Sequence, residues 1–139
     1  MKKTVFSIVA LTCFNMYLTA RQPQDAVKAS IARGEKLYQQ YCLSCHQKSG
    51  NGVPRMNPPL VKTTYVLGDK TKLISWVLKG ATESIPIDGK TYSNNMPPQN
   101  YLKDAQVADV LTYVRNSFGN QASAITPAEV KAVRAAIKK

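Results

Sequence analysis

The sequence predicts a small all-α domain. Four segments carry apolar residues at helical spacings, and residues that begin or end helices stand at their boundaries. No segment alternates apolar and polar residues with a period of two, so no sheet is expected. The chain has 139 residues, of which 44% are hydrophobic. This length suits one domain rather than two, and the composition is apolar enough to form a core.

The N-terminal segment has the layout of a secretory signal peptide. Lys2 and Lys3 form a short basic start, and a mostly apolar stretch follows from Val5 to Leu18. A polar sequence begins after Ala20, so cleavage is expected there. Two alternatives stay open, namely an uncleaved membrane anchor and a lipid attached to Cys13.

Residues 1–20 are therefore assigned to the signal peptide and 21–139 to the domain, which includes a helical extension from about residue 121. Export predicts a periplasmic protein, with membrane association only if the N-terminal segment is retained. We expect a monomer. The formal net charge of +11 favours acidic partners. Nucleic acid is excluded as a partner, because export separates the protein from it and no recognition motif is present.

The first two helices are predicted from periodicity and from their ends. The first runs from Asp25 to Gln40, where apolar residues recur on one face. The second runs from about Thr71 to Lys79. Asp69 is placed to cap its first turn and Gly80 is placed to end it.

The third and fourth helices follow a long interval. The third is predicted over Asp104–Ser117, where one apolar stripe lies along the helix and Gly119 ends it. The fourth begins with a capping box formed by Thr126 and Glu129, with Pro127 at the first helical position.

Two irregular stretches, Gln47–Asp69 and Ala81–Leu102, separate these helices. Long segments without regular structure are unusual inside a compact domain. They become reasonable if they wrap a large group that completes the core. The loops therefore predict a bound cofactor before any motif is considered.

Cys42, Cys45 and His46 form the motif Cys-x-x-Cys-His. In this pattern two thiols reach the vinyl groups of one haem, and the adjacent imidazole becomes a proximal ligand of the iron. A thioredoxin-like redox pair would need a preceding strand, which the sequence does not predict. A zinc site would lack ligands, because no cysteine or further histidine follows His46. The motif predicts one covalently attached haem c.

The second axial position of such an iron could hold methionine or lysine, or stay open. Outside the signal segment the chain has two methionines, Met56 and Met96. Met56 follows His46 by only ten residues, which is a short path around a haem edge. Met96 lies fifty residues after His46, in a loop stiffened by two prolines. We favour Met96 as the distal ligand over Met56 or an open position.

The chain resembles the class I c-type cytochromes over about Ile31–Ser117. In that family the backbone carbonyl of a proline in a proximal turn accepts a hydrogen bond from the Nδ1–H of the histidine. The glycine of the first helix permits a close crossing with the last helix of the family's fold. The matching residues, in chain order, are Gly34 and Tyr38, Cys42-x-x-Cys45-His46, Pro58-Pro59-Leu60, Tyr92 with Met96-Pro97, and Tyr113-Val114-Arg115-Asn116.

The resemblance implies an electron carrier rather than an enzyme. Methionine–histidine ligation in an apolar pocket implies a positive reduction potential. Pro58, Pro59, Tyr92 and Met96 are the implied binding residues beside the attachment motif. Two alternatives stay open. One is a dedicated electron-transfer subunit of a larger redox enzyme, and the other is a haem sensor or enzyme with a labile methionine.

Lysines are expected around the haem. They predict a docking surface for acidic redox proteins such as a dehydrogenase, a reductase or a terminal oxidase. An ordinary solvated lysine surface explains them equally well. The six residues concerned are Lys48, Lys62, Lys70, Lys72, Lys79 and Lys90.

Overall fold

The computed structural model describes residues 24–82, 84 and 86–137. Within these ranges the chain is helical, and strand pairing is limited to isolated bridges. The predicted signal peptide lies outside the described residues. None of the described helices has both the length and the apolar character needed to cross a membrane. The helices are α1 (24–41), α2 (Leu43–His46), α3 (Thr64–Leu67), α4 (Lys70–Lys79), α5 (Asp104–Asn116) and α6 (Pro127–Ile137).

The predicted ends of α4 and the predicted start of α6 are confirmed, whereas α5 ends at Asn116, before the predicted stop at Gly119. The backbone N–H of Lys72 donates to Asp69 Oδ1 at 2.7 Å, which caps α4, and α4 ends at Gly80 with a φ of 71°. The capping box of α6 is reciprocal, because Thr126 N–H donates to Glu129 Oε2 at 2.7 Å and Glu129 N–H donates to Thr126 Oγ1 at 3.3 Å. The all-α prediction is therefore correct, with boundaries shifted by about one residue.

The prediction of an irregular stretch over 47–69 is wrong at one place. The helical turn α3 lies inside it, and Thr63 caps this turn by accepting from Val66 N–H at 3.3 Å. Four residues are too few to show a helical period in the sequence. The cap and the burial of Val66 hold this turn in place.

Helix α1 crosses α5 at Gly34. A Cβ on Gly34 would overlap the backbone oxygen of Asp109 and lie 2.7 Å from Tyr113 Cβ, so only glycine permits this approach. An ion pair beside the crossing strengthens it, because Arg33 Nε and Nη2 donate to both oxygens of Asp109 at 2.7 and 2.8 Å. The Ser30 hydroxyl also donates to this carboxylate, at 2.7 Å.

The C-terminal helix α6 packs on both α4 and α5. Val130 is fully buried between them. Arg134 donates to Asp104 at 2.7 Å and to the Leu102 carbonyl at 2.6 Å, which ties α6 to the start of α5. The extension predicted from about residue 121 is thus an integral layer of the domain.

Helix α6 is also tied to α4 by Lys70. Its ammonium donates to Glu129 Oε1 at 3.0 Å and to the Ala124 carbonyl at 2.6 Å. Burial alone would raise the pKa of the Glu129 carboxyl, but hydrogen bonds from Thr126 and Lys70 outweigh burial and lower it below its ordinary value. Ionised Glu129 is therefore the form that the fold binds.

The Glu129 contacts predict a pH-dependent contribution to stability. A carboxyl with a lowered pKa in the folded state stabilises the fold above its unfolded pKa of about 4.3, and this contribution is lost as the pH falls through the folded value. The difference in thermal midpoint between wild type and Glu129→Gln should be largest near pH 7. It should shrink below about pH 4.3.

Thermal unfolding of the cofactor-loaded protein between pH 3 and pH 7 measures this difference. Glu35→Gln, which removes an exposed carboxylate from α1, is the control and should barely change the midpoint at pH 7. A difference for Glu129→Gln that stays constant with pH would contradict the assignment.

Candidate functional site

A large apolar cavity lies between the helices and the two loops. Its empty volume is about 1070 Å³, a figure that includes space open to solvent. The helical wall consists of side chains from α3, α4 and α5. The aliphatic ones are Val66, Leu73, Val77, Val110, Leu111 and Val114.

Most of the residues implicated by the sequence meet in this cavity. The exception is Cys45, which is exposed and follows Cys42 by one helical turn. Of the residues implicated by the sequence, those that line the cavity are Cys42, His46, Pro58, Pro59, Tyr92 and Met96. The structure thus brings together the attachment motif, the proline turn and the methionine loop.

The His46 imidazole is oriented by the proline turn. Its Nδ1 lies 3.0 Å from the Pro58 carbonyl oxygen. A carbonyl only accepts hydrogen bonds, so Nδ1 carries the proton and the Nε2 lone pair is free to bind a metal. Burial lowers the pKa of His46, although the Pro58 hydrogen bond opposes this shift. The ring is therefore held in its neutral form, with Nδ1 protonated.

The two cysteine thiols are free, and Cys42 is half-buried. Burial raises the pKa of Cys42 to about 11, with a smaller contribution from Cys45. Because the thiolate is the reactive form in disulfide exchange, a thiol this weakly acidic is a poor redox centre near neutral pH. In the described part of the chain, no group of three or more His, Cys, Asp or Glu side chains is placed to hold a metal ion. The weak acidity of Cys42 disfavours the thioredoxin-like alternative.

The two candidate methionines lie in different environments. Met96 lines the cavity, and its backbone forms an isolated bridge with Ala81, with N···O distances of 2.8 and 2.9 Å. Gly80 permits this approach, because a Cβ there would overlap the Met96 carbonyl and lie 2.7 Å from Pro98 N. Met56 is 47% exposed and is not among the residues that line the cavity. The geometry favours Met96 over Met56 as a ligand.

A buried asparagine that the sequence reasoning missed supports the proximal side. Asn120 is 3% exposed and accepts from Lys62 N–H at 2.8 Å. Its amide donates to the carbonyls of Leu60 and Val114 at 2.9 and 2.8 Å. It therefore fastens the segment after the proline turn to the end of α5. A polar residue outside every predicted helix gave no sequence signal for this role.

Arg115 was also missed, although the family resemblance includes it. It is 3% exposed and donates from Nε to the Ser123 carbonyl at 2.9 Å and from Nη1 to the Val66 carbonyl. Burial lowers its pKa, and nearby Glu129 opposes this shift. Arg115 therefore joins the wall residue Val66 to the C-terminal extension. It was missed because an arginine near a polar helix end is expected to be exposed when only the sequence is known.

The lysine prediction needs one correction. Lys70 is committed to Glu129 and Ala124 within the fold, so it does not belong to a free docking surface. The other five lysines, Lys48, Lys62, Lys72, Lys79 and Lys90, are exposed.

The residues of the cavity fit a haem. The walls are apolar, one neutral imidazole and one thioether face the interior, and a thiol of the attachment motif lies at the edge. Fold and site together define a small helical protein with an apolar cavity that suits a large cofactor.

Comparison with known proteins agrees with this class. The cytochrome c family profile matches residues 31–118. Cytochrome c-552 from Thermus thermophilus is 33% identical over 113 residues, which span 75% of this chain and 86% of that protein. The chain therefore belongs to the cytochrome c family. Its members carry haem c and transfer electrons without being catalytic themselves. The family and fold predictions are confirmed.

Other relatives are parts of larger enzymes. The cytochrome c subunit of quinone alcohol dehydrogenase from Gluconobacter oxydans is 32% identical over 90 residues, which span 64% of this chain and 19% of the subunit. The cytochrome c subunit of gluconate 2-dehydrogenase from Pantoea cypripedii is 34% identical over 106 residues, which span 73% of this chain and 24% of the subunit. This chain corresponds to a quarter or less of these subunits.

Proposed function

We propose that this protein is a periplasmic one-electron carrier with a single haem c. The haem is attached through Cys42 and Cys45, and its iron is ligated by His46 and Met96. The observation that carries the proposal is the convergence of an oriented imidazole and a thioether on one apolar cavity. The periplasmic location is supported by the signal-like sequence of residues 1–20.

The bound haem supplies reversible one-electron chemistry at its iron. The chain's own residues set the conditions for it. Pro58 fixes the imidazole plane through the Nδ1 hydrogen bond, and the bridge with Ala81 fixes the backbone that presents the Met96 thioether. With His46 and Met96 both holding the iron, a haem would have no position open to a substrate, which suits a carrier rather than an enzyme. The apolar walls disfavour extra positive charge and therefore favour a positive potential.

The partners are proposed to be redox proteins with acidic surfaces. The five exposed lysines support this charge preference, and the dehydrogenase subunits among the relatives support an enzyme as the partner. A dedicated subunit of such an enzyme is the second candidate, favoured by the same relatives. Co-purification of a stable complex from the native host would favour the dedicated subunit. Isolation of the free cytochrome would favour a freely diffusing carrier.

Covalent attachment is the feature to test first. We expect the matured protein to keep its haem through a denaturing gel, because thioether bonds survive unfolding. The variant Cys42→Ser/Cys45→Ser should lose the haem band completely under the same conditions. Mass spectrometry of the intact protein gives the same measurement independently.

Ser44→Ala is the matched control, since Ser44 is exposed between the two cysteines and should keep the haem. If the double cysteine variant retains its haem band, covalent attachment through these residues is refuted.

A further inference from the structure

A tight turn links the segment that orients His46 to the loop that carries Met96. We call residues 53–57 the 53–57 turn. Its ends are paired, because Val53 and Asn57 exchange backbone hydrogen bonds with N···O distances of 2.9 Å. The residue before the turn, Gly52, joins it to the attachment motif, because Gly52 N–H donates to the His46 carbonyl at 3.0 Å. On its other side Asn57 directly precedes Pro58, whose carbonyl binds the His46 ring.

The same turn holds the chain that leads to Met96. The N–H of Ser93 donates to the Arg55 carbonyl at 2.9 Å, and the N–H of Asn94 donates to the Met56 carbonyl at 3.0 Å. The side chains add a third bond, because Asn94 Nδ2 donates to Asn57 Oδ1 at 3.0 Å. Asn57 is 8% exposed, so little water competes for its oxygen.

We propose that Asn57 is a positioning residue for the distal ligand Met96. The inference rests on the proposed ligation by Met96 and adds a specific part of the chain that maintains it. Asn94 stands two residues before Met96, and Asn57 stands one residue before Pro58. The segment carrying the distal ligand is therefore fastened to the segment that orients the proximal one, without passing through the iron.

The backbone bridge between Met96 and Ala81 is a second attachment of the methionine loop, to the residue that follows the end of α4 at Gly80. Loss of the Asn57 bond should therefore loosen the methionine loop without releasing it entirely. One net hydrogen bond corresponds to a factor of about five in an equilibrium constant. The fraction of protein with Met96 detached should rise by about this factor when the bond is removed.

Carbon monoxide binding measures that fraction, because the gas reaches ferrous iron only where the methionine has left. The experiment uses the full matured protein at neutral pH, with Asn57→Ala, Asn94→Ala and the double variant Asn57→Ala/Asn94→Ala. We expect each single variant to bind carbon monoxide about fivefold faster than wild type. The double variant should be no faster than either single variant, since both remove one bond. Asn51→Ala, an exposed asparagine before the turn, is the control and should match wild type.

Binding rates for Asn57→Ala within twofold of wild type would overturn the inference, as would independent, multiplicative effects in the double variant. Asn94 is exposed, so Asn94→Ala keeps the test available if Asn57→Ala fails to fold. Ferric haem with a methionine ligand has a weak absorption band at the red end of the spectrum. This band separates failure of the Asn57 inference from failure of the proposed Met96 ligation. If wild type lacks that band and binds carbon monoxide freely, Met96 ligation itself is wrong.

Discussion

Replacing Met96 with alanine should change both the spectrum and the potential of the protein. The variant is expected to lose the weak red-end ferric band and to bind carbon monoxide rapidly in the ferrous form, because alanine offers no sulfur to the iron. Its midpoint potential should fall by a sizeable part of the roughly 0.8 V range that axial ligands span. Absorption spectroscopy and an equilibrium redox titration measure these changes.

Met56→Ala is the matched control for this experiment. The Met56 side chain is nearly half exposed and is not among the residues lining the cavity, so its loss should leave spectrum and potential unchanged. If instead Met56→Ala removes the band and Met96→Ala keeps it, the two methionines have been assigned the wrong way round.

Gly34→Ala should destabilise the fold strongly. An alanine in place of a helical glycine normally stabilises a protein by about 0.5–1 kcal/mol. At Gly34 the added methyl group would overlap the Asp109 carbonyl, which belongs to the backbone of α5 and cannot rotate away. Separation of the helices also weakens the neighbouring ion pair of Arg33 with Asp109. We expect a loss of about 3 kcal/mol, the upper end of the usual cost of overpacking, measured by denaturant unfolding of the loaded protein.

The prediction is specific because alanine in place of a helical glycine normally stabilises a protein, whereas Gly34→Ala is expected to destabilise this one. Ala29→Gly, at an exposed position of α1, serves as the comparison and should cost about 1 kcal/mol through helix propensity alone. A Gly34→Ala variant as stable as wild type would show that α1 and α5 do not cross as closely as described.

The parts of the fold that follow from the sequence are those fixed by neighbours in the chain. The caps at Asp69 and Thr126 and the end at Gly80 were predictable because each depends on residues within one turn. The helix α3 was not predictable from periodicity, since four residues hold no repeat. Its stability comes from a cap and from contacts with distant residues such as Arg115.

The residues of the candidate site also differ in whether their role follows from neighbours in the chain. The motif of Cys42, Cys45 and His46 is local, so its spacing alone indicates the chemistry. The preference for Met96 over Met56 needed an argument about chain length, which the lining of the cavity now supports. Asn57 and Asn120 act across long sequence separations through single amide groups. Such residues have no pattern in one sequence, and only the folded structure reveals their partners.

The cavity walls and the hydrophobic core share several residues. Among the described residues, six core side chains also line the cavity, namely Val66, Leu73, Leu102, Val110, Leu111 and Val114. These side chains are already shielded from water, and an enclosed cofactor would add packing contacts to them. Conformational stability and cofactor maturation are therefore thermodynamically linked, so a polypeptide that escapes maturation should be a preferred substrate for proteolysis.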